Sequence, residues 1–236
     1  MSIVLERARE TALKIPPAVL DELTSRPVSK IMRRQTWPDH ERAEHSPFEQ
    51  ALVMGTVTKE AYADLLVNVL PVYETLESRM VGLADDPIAG HIIRPELPRA
   101  EQIAADLAFY AGPDARETLE VLPVTTEYVD RIRTATPVQY VAHHYTRYLA
   151  DLSGGIYIDA ALTKAWGLEL DGRRYYVFDQ IPDADTFKGA YRAALDEMPL
   201  DADGKRQLIE EVLVAYEFNI EMVAILADKH TIKLPA

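Results

Sequence analysis

An all-α, single-domain helical bundle is the fold class that this 236-residue sequence predicts, and three observations predict it. Apolar residues recur at three- and four-residue spacing over most of the length, the pattern of helices that bury one face. Alternating apolar and polar runs, the mark of half-buried strands, are short and confined to places such as Arg173-Arg-Tyr-Tyr-Val-Phe178. Apolar residues make up 48% of the chain, which suffices for a single buried core at this length.

The elements follow from start and stop signals. Residues 1–27 contain Pro16, Pro17 and Pro27 and are expected to form an amphipathic extension or docking segment ahead of the main domain, residues 28–236. Ser46-Pro47-Phe48-Glu49 sets a capping serine, a proline at the first helical position and a glutamate three after the cap. A helix carrying His40 therefore ends just before Ser46, and the next begins there. That next helix stops at Gly55. Thr58 caps its successor, which runs through Tyr73 to Glu77 with a kink at Pro71. Helices are expected near 98–110 and 125–135. Thr136-Pro137 repeats the cap-plus-proline signal and opens a segment that reaches about Trp166, with Gly167 as its stop. Ser153-Gly154-Gly155 falls in the middle of that segment. Two adjacent glycines each cost about 1 kcal/mol relative to alanine in a helix, so they mark a kink or a close approach to the backbone. Helices near 184–197 and 203–228 complete the bundle.

Composition narrows the function. Lys and Arg total 25 against 38 Asp and Glu, a formal charge of −13, which opposes nucleic acid and anionic bilayers as partners. The absence of cysteine excludes disulfides, thiolate metal sites, iron–sulfur clusters and covalent haem attachment. Charge interrupts the N-terminal residues before an apolar core of signal length forms, and no stretch nears about 18 uninterrupted apolar residues. A cytoplasmic protein is expected.

Several groups could carry chemistry. His40 and Glu44 are four apart and share a helix face, so the carboxylate could orient an imidazole that binds a metal; a surface His–Glu contact has the same spacing. Arg147, Asp151, Gly154 and Gly155 fall at i, i+4, i+7 and i+8, away from the face of Tyr145, Leu149, Leu152 and Ile156. A charged pair sharing a face with glycines suits a flat ligand brought close to the backbone beneath an ordered water, or a helix crossing beside a surface Arg–Asp pair. Asn219 interrupts the apolar stripe Leu208, Val212, Tyr216, Val223, Leu226; a buried amide there needs partners. Lys188 and Arg192 form an i, i+4 cationic pair, and Arg33 lies about two turns before His40. Together these cations could receive two carboxylates or simply face solvent.

Taken together, these stretches resemble the biliverdin-forming haem oxygenases over roughly residues 28–228. The strongest part is Val141-Ala-His-His-Tyr-Thr-Arg-Tyr-Leu-Ala-Asp-Leu-Ser-Gly-Gly155, similar to the family's distal-helix signature. Thr36-x-x-x-His40-x-x-x-Glu44 is similar to the proximal segment. The resemblance implies a helical bundle with a kinked distal helix, His40 as iron ligand and Glu44 as its orienting partner. It also implies that Arg33, Tyr145, Lys188 and Arg192 bind the haem propionates. Tyr73, Arg147, Asp151 and Asn219 would build the distal water network, and Ser153, Gly154 and Gly155 would pack against the porphyrin. Haem is then both cofactor and substrate. It is cleaved with O2, at the α-meso carbon by default, to biliverdin, iron and CO, for iron acquisition or bilin supply. Electrons must come from a separate reductase or ferredoxin, since the chain has no Gly-rich dinucleotide fingerprint.

Two positions depart from the family pattern. Ala150 stands where the family has glycine before the distal aspartate, so a methyl group is expected in the distal pocket. Pro38, two residues before His40, is expected to break or reset the proximal helix, and His45 is the reserve ligand if His40 turns outward. Other readings are a haem-binding protein without turnover, a related helical fold acting on thiamine-type or quinone-precursor substrates, and a purely structural bundle. The Arg147–Gly155 segment and the lack of cysteine argue against the second, Asp151, Asn219 and the double glycine together argue against the third, and the resemblance, more than spacing, favours the oxygenase over all three.

Overall fold

The computed structural model describes residues 3–12 and 25–233, and no described residue lies in a β-strand. The helices are α1 (Ile3–Ala12), α2 (Val28–Glu44), α3 (Pro47–Met54), α4 (Lys59–Leu83) and α5 (Ala100–Ala111), followed by α6 (Ala115–Thr118) and α7 (Pro123–Thr134). Then come α8 (Pro137–Asp151), α9 (Gly155–Trp166), α10 (Ala184–Glu197) and α11 (Ala202–Lys229). Short 3-10 turns occupy Ala89–His91 and Arg174–Tyr176. No described helix is long and apolar enough to cross a membrane.

The expected signals act where the sequence places them. The Thr58 hydroxyl accepts from the amide of Ala61 at 3.2 Å and starts α4. Thr136 and Gln139 close a reciprocal capping box that starts α8, with Pro137 at the first helical position. Gly55 and Gly167 end α3 and α9 in the left-handed region, at φ 65° and 66°, where a side chain would be strained. One box does not close. Ser46 accepts from the Glu49 amide, but the Glu49 side chain turns inward to Asn219 instead of reaching back.

α2 and α4 run unbroken through Pro38 and Pro71. The reset expected at Pro38 does not occur. A proline costs an interior helix one hydrogen bond, and packing of α2 on α10 and α11 offsets that loss. The run Arg173–Phe178, alternating in sequence, folds as a 3-10 turn because its polar neighbour is a carboxylate rather than another strand: buried Asp106 accepts from the amides of Arg174 (3.0 Å) and Tyr175 (2.8 Å). Of the N-terminal extension, α1 packs against α11, burying Val4 and Ala8 and pairing Arg7 with Glu221 at 2.6 Å. Pro16 and Pro17 lie outside the described residues.

α11 organises the bundle, packing along α8, α1 and α2 and touching α3, α4 and α7. Leu208, Val212, Ala215, Phe218, Met222 and Leu226 are its fully enclosed apolar residues. It also carries buried Glu211, which accepts from Arg131 Nε on α7 (2.8 Å) and Gln139 on α8 (3.1 Å) and lies 2.9 Å from His143 Nε2. Burial alone would raise this carboxyl, but the His143 and Arg131 contacts outweigh it and bring it down to about 2.

The long segment from Thr136 to Gly167 divides. Leu152, Ser153 and Gly154 form a turn between α8 and α9, and the Ala150 carbonyl accepts from Ser153 (3.0 Å) and Gly154 (2.7 Å). The single helix face expected to carry Arg147, Asp151, Gly154 and Gly155 is thus interrupted after Asp151. Gly155 is needed sterically, because a Cβ there would sit 2.7 Å from the buried Tyr176 ring. At Gly154 the nearest atom is 3.6 Å away, an ordinary contact.

Two outcomes follow. In urea unfolding, Gly155→Ala loses about 1–3 kcal/mol through overpacking, while Gly154→Ala stays within about 0.5 kcal/mol of the parent; equal losses would show that Tyr176 does not set the constraint. Glu211→Ala removes the carboxylate shared by half-buried Arg131 and buried His143 and loses about 1–3 kcal/mol at neutral pH. Because the folded carboxyl sits below its ordinary value of 4.5, its contribution is present above that pH and fades as pH falls through about 2. Acid titration of stability in the variant should therefore be flatter over that window.

Candidate functional site

The proximal side is built on α2. His40 lies half-buried, with its imidazole stacked on Trp37 (centroids 4.9 Å apart, planes 10° apart) and edge-on to Tyr216 of α11 at 6.3 Å. Trp37 is in turn covered by the Arg33 guanidinium at 5.5 Å. The three residues sit at i, i+4 and i+7 on one helix, which is why the sandwich forms. His40 Nδ1 is enclosed and has no hydrogen-bond partner, with the Glu44 carboxylate 3.6 Å away. The exposure of the ring therefore falls on its other edge. His45, the reserve candidate, caps α2 with Nδ1 2.7 Å from the Glu41 carbonyl.

The distal side is built on the last turn of α8. Arg147 is buried, donates to the Asn219 amide oxygen on α11 at 2.6 Å, and lies 5.3 Å from the centre of the Tyr73 ring. Its Nε finds no partner. Asp151 is buried and accepts from both Tyr73 and Tyr175, the latter at 3.1 Å; the two phenol oxygens are 3.0 Å apart. Burial raises the Asp151 carboxyl to about 6 against the opposing pull of Arg147 and the phenols. Tyr73, Arg147, Asp151 and Asn219, separated by up to 146 positions in sequence, are thus one connected cluster.

The cationic rim forms in part. Burial raises the Tyr145 phenol, and Arg192 and Arg33 lie close enough to oppose that rise, so these three share a neighbourhood. Lys188, one turn before Arg192 on α10, is largely buried and pairs with exposed Asp185 at 3.0 Å. Ser153 is half-buried and Gly154 exposed at the α8–α9 turn, whereas Gly155 is buried beneath Tyr176. Ala150 is exposed, so its methyl group lies outside the core.

Both sides meet on α11. Tyr216, which faces His40, and Asn219, which binds Arg147, are three residues apart on one helix and so share a face. Glu49 of α3 spans the same region: its carboxyl bonds Asn219 and lies within electrostatic reach of Arg147, Asp151 and Glu44, and burial raises it. Glu49 and Tyr175 join this cluster without having been singled out by the sequence. In the sequence the first has the spacing of a capping residue, and the second lies in a run patterned like a strand. An acidic residue with no cation at helical spacing was the one available signal for Glu49.

The chain matches the family model described as "Heme oxygenase" over residues 26–225. It is 35% identical over 194 residues to Heme oxygenase 1 of Synechocystis sp., covering 81% of each chain. To Heme oxygenase 1 of Rattus norvegicus it is 30% identical over 222 residues, 90% of this chain and 77% of the relative. Its fold superposes on the crystal structure of heme oxygenase-1 from Synechocystis in complex with heme with a TM-score of 0.81, at 33% identity over 86% of this chain and 94% of the other. Heme oxygenase-2 of the same organism, in complex with heme and NO, gives 0.82 at 32% identity, covering 89% and 91%. Sequence, fold and the two-sided cluster on α11 agree, and the chain belongs to the haem oxygenase family.

Proposed function

We propose that the chain cleaves haem with O2 and externally supplied electrons to biliverdin, ferrous iron and CO, holding the macrocycle over the Tyr216–Asn219 face of α11. The observation that carries this reading is the convergence of His40 and the Arg147–Asp151 end of α8 on that one face. The side chains fit the group. His40 keeps Nδ1 enclosed near Glu44, the arrangement that orients an imidazole to bind metal through its other nitrogen. Arg147 Nε is a buried donor without a partner, and the turn at Ser153–Gly154 offers thin backbone at an exposed edge.

Bound haem supplies the redox-active iron and is itself the molecule oxidised. His40 would hold it from the α2 side, with the Trp37 stack and Glu44 setting the ring's angle. Arg33, Tyr145, Lys188 and Arg192 would pair with the two propionates and fix the rotation of the macrocycle, which decides the edge presented to the distal side, α by default. Asp151, oriented by Tyr73 and backed by Arg147 and Asn219, would order a water there as its hydrogen-bond acceptor. Ser153, Gly154 and Gly155 would bring the α8–α9 turn against the ring edge, Gly155 through its backbone alone. The electron donor is a separate reductase or ferredoxin, and the protein acts in the cytoplasm, in iron acquisition or bilin supply.

Mixing the protein with haemin under air and ascorbate should replace the Soret band with biliverdin absorption; a stable haem complex that yields no biliverdin or CO would make the chain a haem carrier instead. His40→Ala should abolish the axial-ligand spectrum while leaving the helical circular dichroism unchanged. Loss of Lys188 or Arg192 to alanine should each weaken haemin binding by about tenfold, ~1.4 kcal/mol, and broaden the mixture of biliverdin isomers. An unchanged Kd and isomer ratio would remove these residues from the propionate clamp.

A further inference from the structure

We propose that Tyr175 is a positioning residue for the distal carboxylate, sharing Asp151 with Tyr73 so that each phenol holds one carboxylate oxygen. Tyr73 donates to Oδ2 and Tyr175 lies 3.1 Å from Oδ1. A carboxylate offers about four acceptor sites on two oxygens, so two phenols pin its plane and still leave a lone pair on each oxygen. A single phenol would leave that plane free to turn about χ2, a broad and roughly two-fold torsion.

Tyr175 is placed by a dedicated scaffold. The segment that carries it has only the two short 3-10 bonds from Tyr176 to Arg173 and from Val177 to Arg174, and is held in place by charged groups from the middle of α5 and just before it. Asp106, with no exposed surface, accepts the amides of Arg174 and Tyr175 and also bonds that of Gly172. Buried Arg99 donates to the Val177 carbonyl at 2.5 Å and lies 4.3 Å from the Phe178 ring centre. A buried carboxylate spent on three backbone amides is costly to desolvate, and burial raises Asp106 to about 6 despite those bonds. Asp106 thus fixes the backbone of Tyr175 itself, and through it the height of the phenol over Asp151.

The second consequence is electrostatic. Asp151 is faced by Tyr73 from α4, Tyr175 and Tyr176 from the 3-10 turn, Arg147 and Tyr148 from α8, Arg99 from the segment before α5, and Glu49 from α3. Among these, the two phenols bond the carboxylate directly, and both favour its ionised form, because an ionised acceptor makes the stronger bond. Taking one phenol away leaves burial less opposed, so the carboxyl must titrate at higher pH. Tyr175 thereby keeps Asp151 ionised around neutrality in a site that otherwise favours the neutral acid.

This inference deepens the proposed function and rests on it only for the place of Asp151 in turnover. The test is infrared titration of the Asp151 carboxyl band in the haem-free protein, the band being identified by its loss in Asp151→Asn. In Tyr175→Phe the midpoint should rise by about one to two pH units, the worth of one hydrogen bond to a charged group. Incorporating 3-fluorotyrosine at position 175 keeps the shape and makes the phenol a stronger donor, so the midpoint should fall. An unmoved midpoint, or movement in the same direction in both proteins, overturns the positioning role. With haem added, the acid limb of turnover in Tyr175→Phe should rise with the midpoint. A raised midpoint with an unmoved turnover profile upholds the phenol bond and overturns Asp151's part in the reaction.

Discussion

A guanidinium buried inside a helical bundle demands negative and aromatic company, and Arg147 imposes that demand on the whole distal half of the molecule. Transfer of an unpaired charge into the interior is prohibitive, so elements that could otherwise pack in several ways are brought to Arg147 in one arrangement. α11 supplies the Asn219 oxygen, α4 the face of the Tyr73 ring, α3 the Glu49 carboxyl, and α8 its own Asp151. Each of these contributes a group that would itself be costly to bury alone. The cluster is therefore mutually dependent, and its geometry is more constrained than apolar packing would make it.

The same logic explains the partition of the molecule. α11 is the only described helix that packs extensively on both α2 and α8, so it sets the spacing between a histidine side and a carboxylate side. Glu211 locks α11 to α7 and α8 at one level, and Asn219 locks it to α8 two turns further on. Between those levels the helix cannot slide without breaking a buried polar contact. Regular apolar stripes would have allowed registers that differ by one turn.

Much of this was legible in the amino-acid order. Helix starts at Ser46, Thr58 and Thr136, stops at Gly55 and Gly167, and the break at Ser153–Gly155 are local signals, and local bonding honours them. The continuity of α2 through Pro38 was not legible, because it depends on burial against helices distant in sequence. Pairings on the distal side were readable as residue types but not as a network. Asp151 shares a helix turn with Arg147, yet its direct partners come from positions 73 and 175, and no spacing rule links those. Tyr175 was hidden for a further reason: its segment alternates like a strand and is bent into a turn by Asp106, a residue that looks like an ordinary polar position on α5.

The stack of Trp37 on His40 has a practical corollary. The chain has two tryptophans, and Trp166 sits far along the sequence at the end of α9, edge-on to Tyr62 and Tyr110. Trp37 alone lies flat against the imidazole, with its outer side partly open to solvent. Any species that seizes that imidazole alters the direct contacts of one indole and not those of the other. The protein thus carries its own optical reporter of ligand capture, readable as quenched or shifted emission without any added dye.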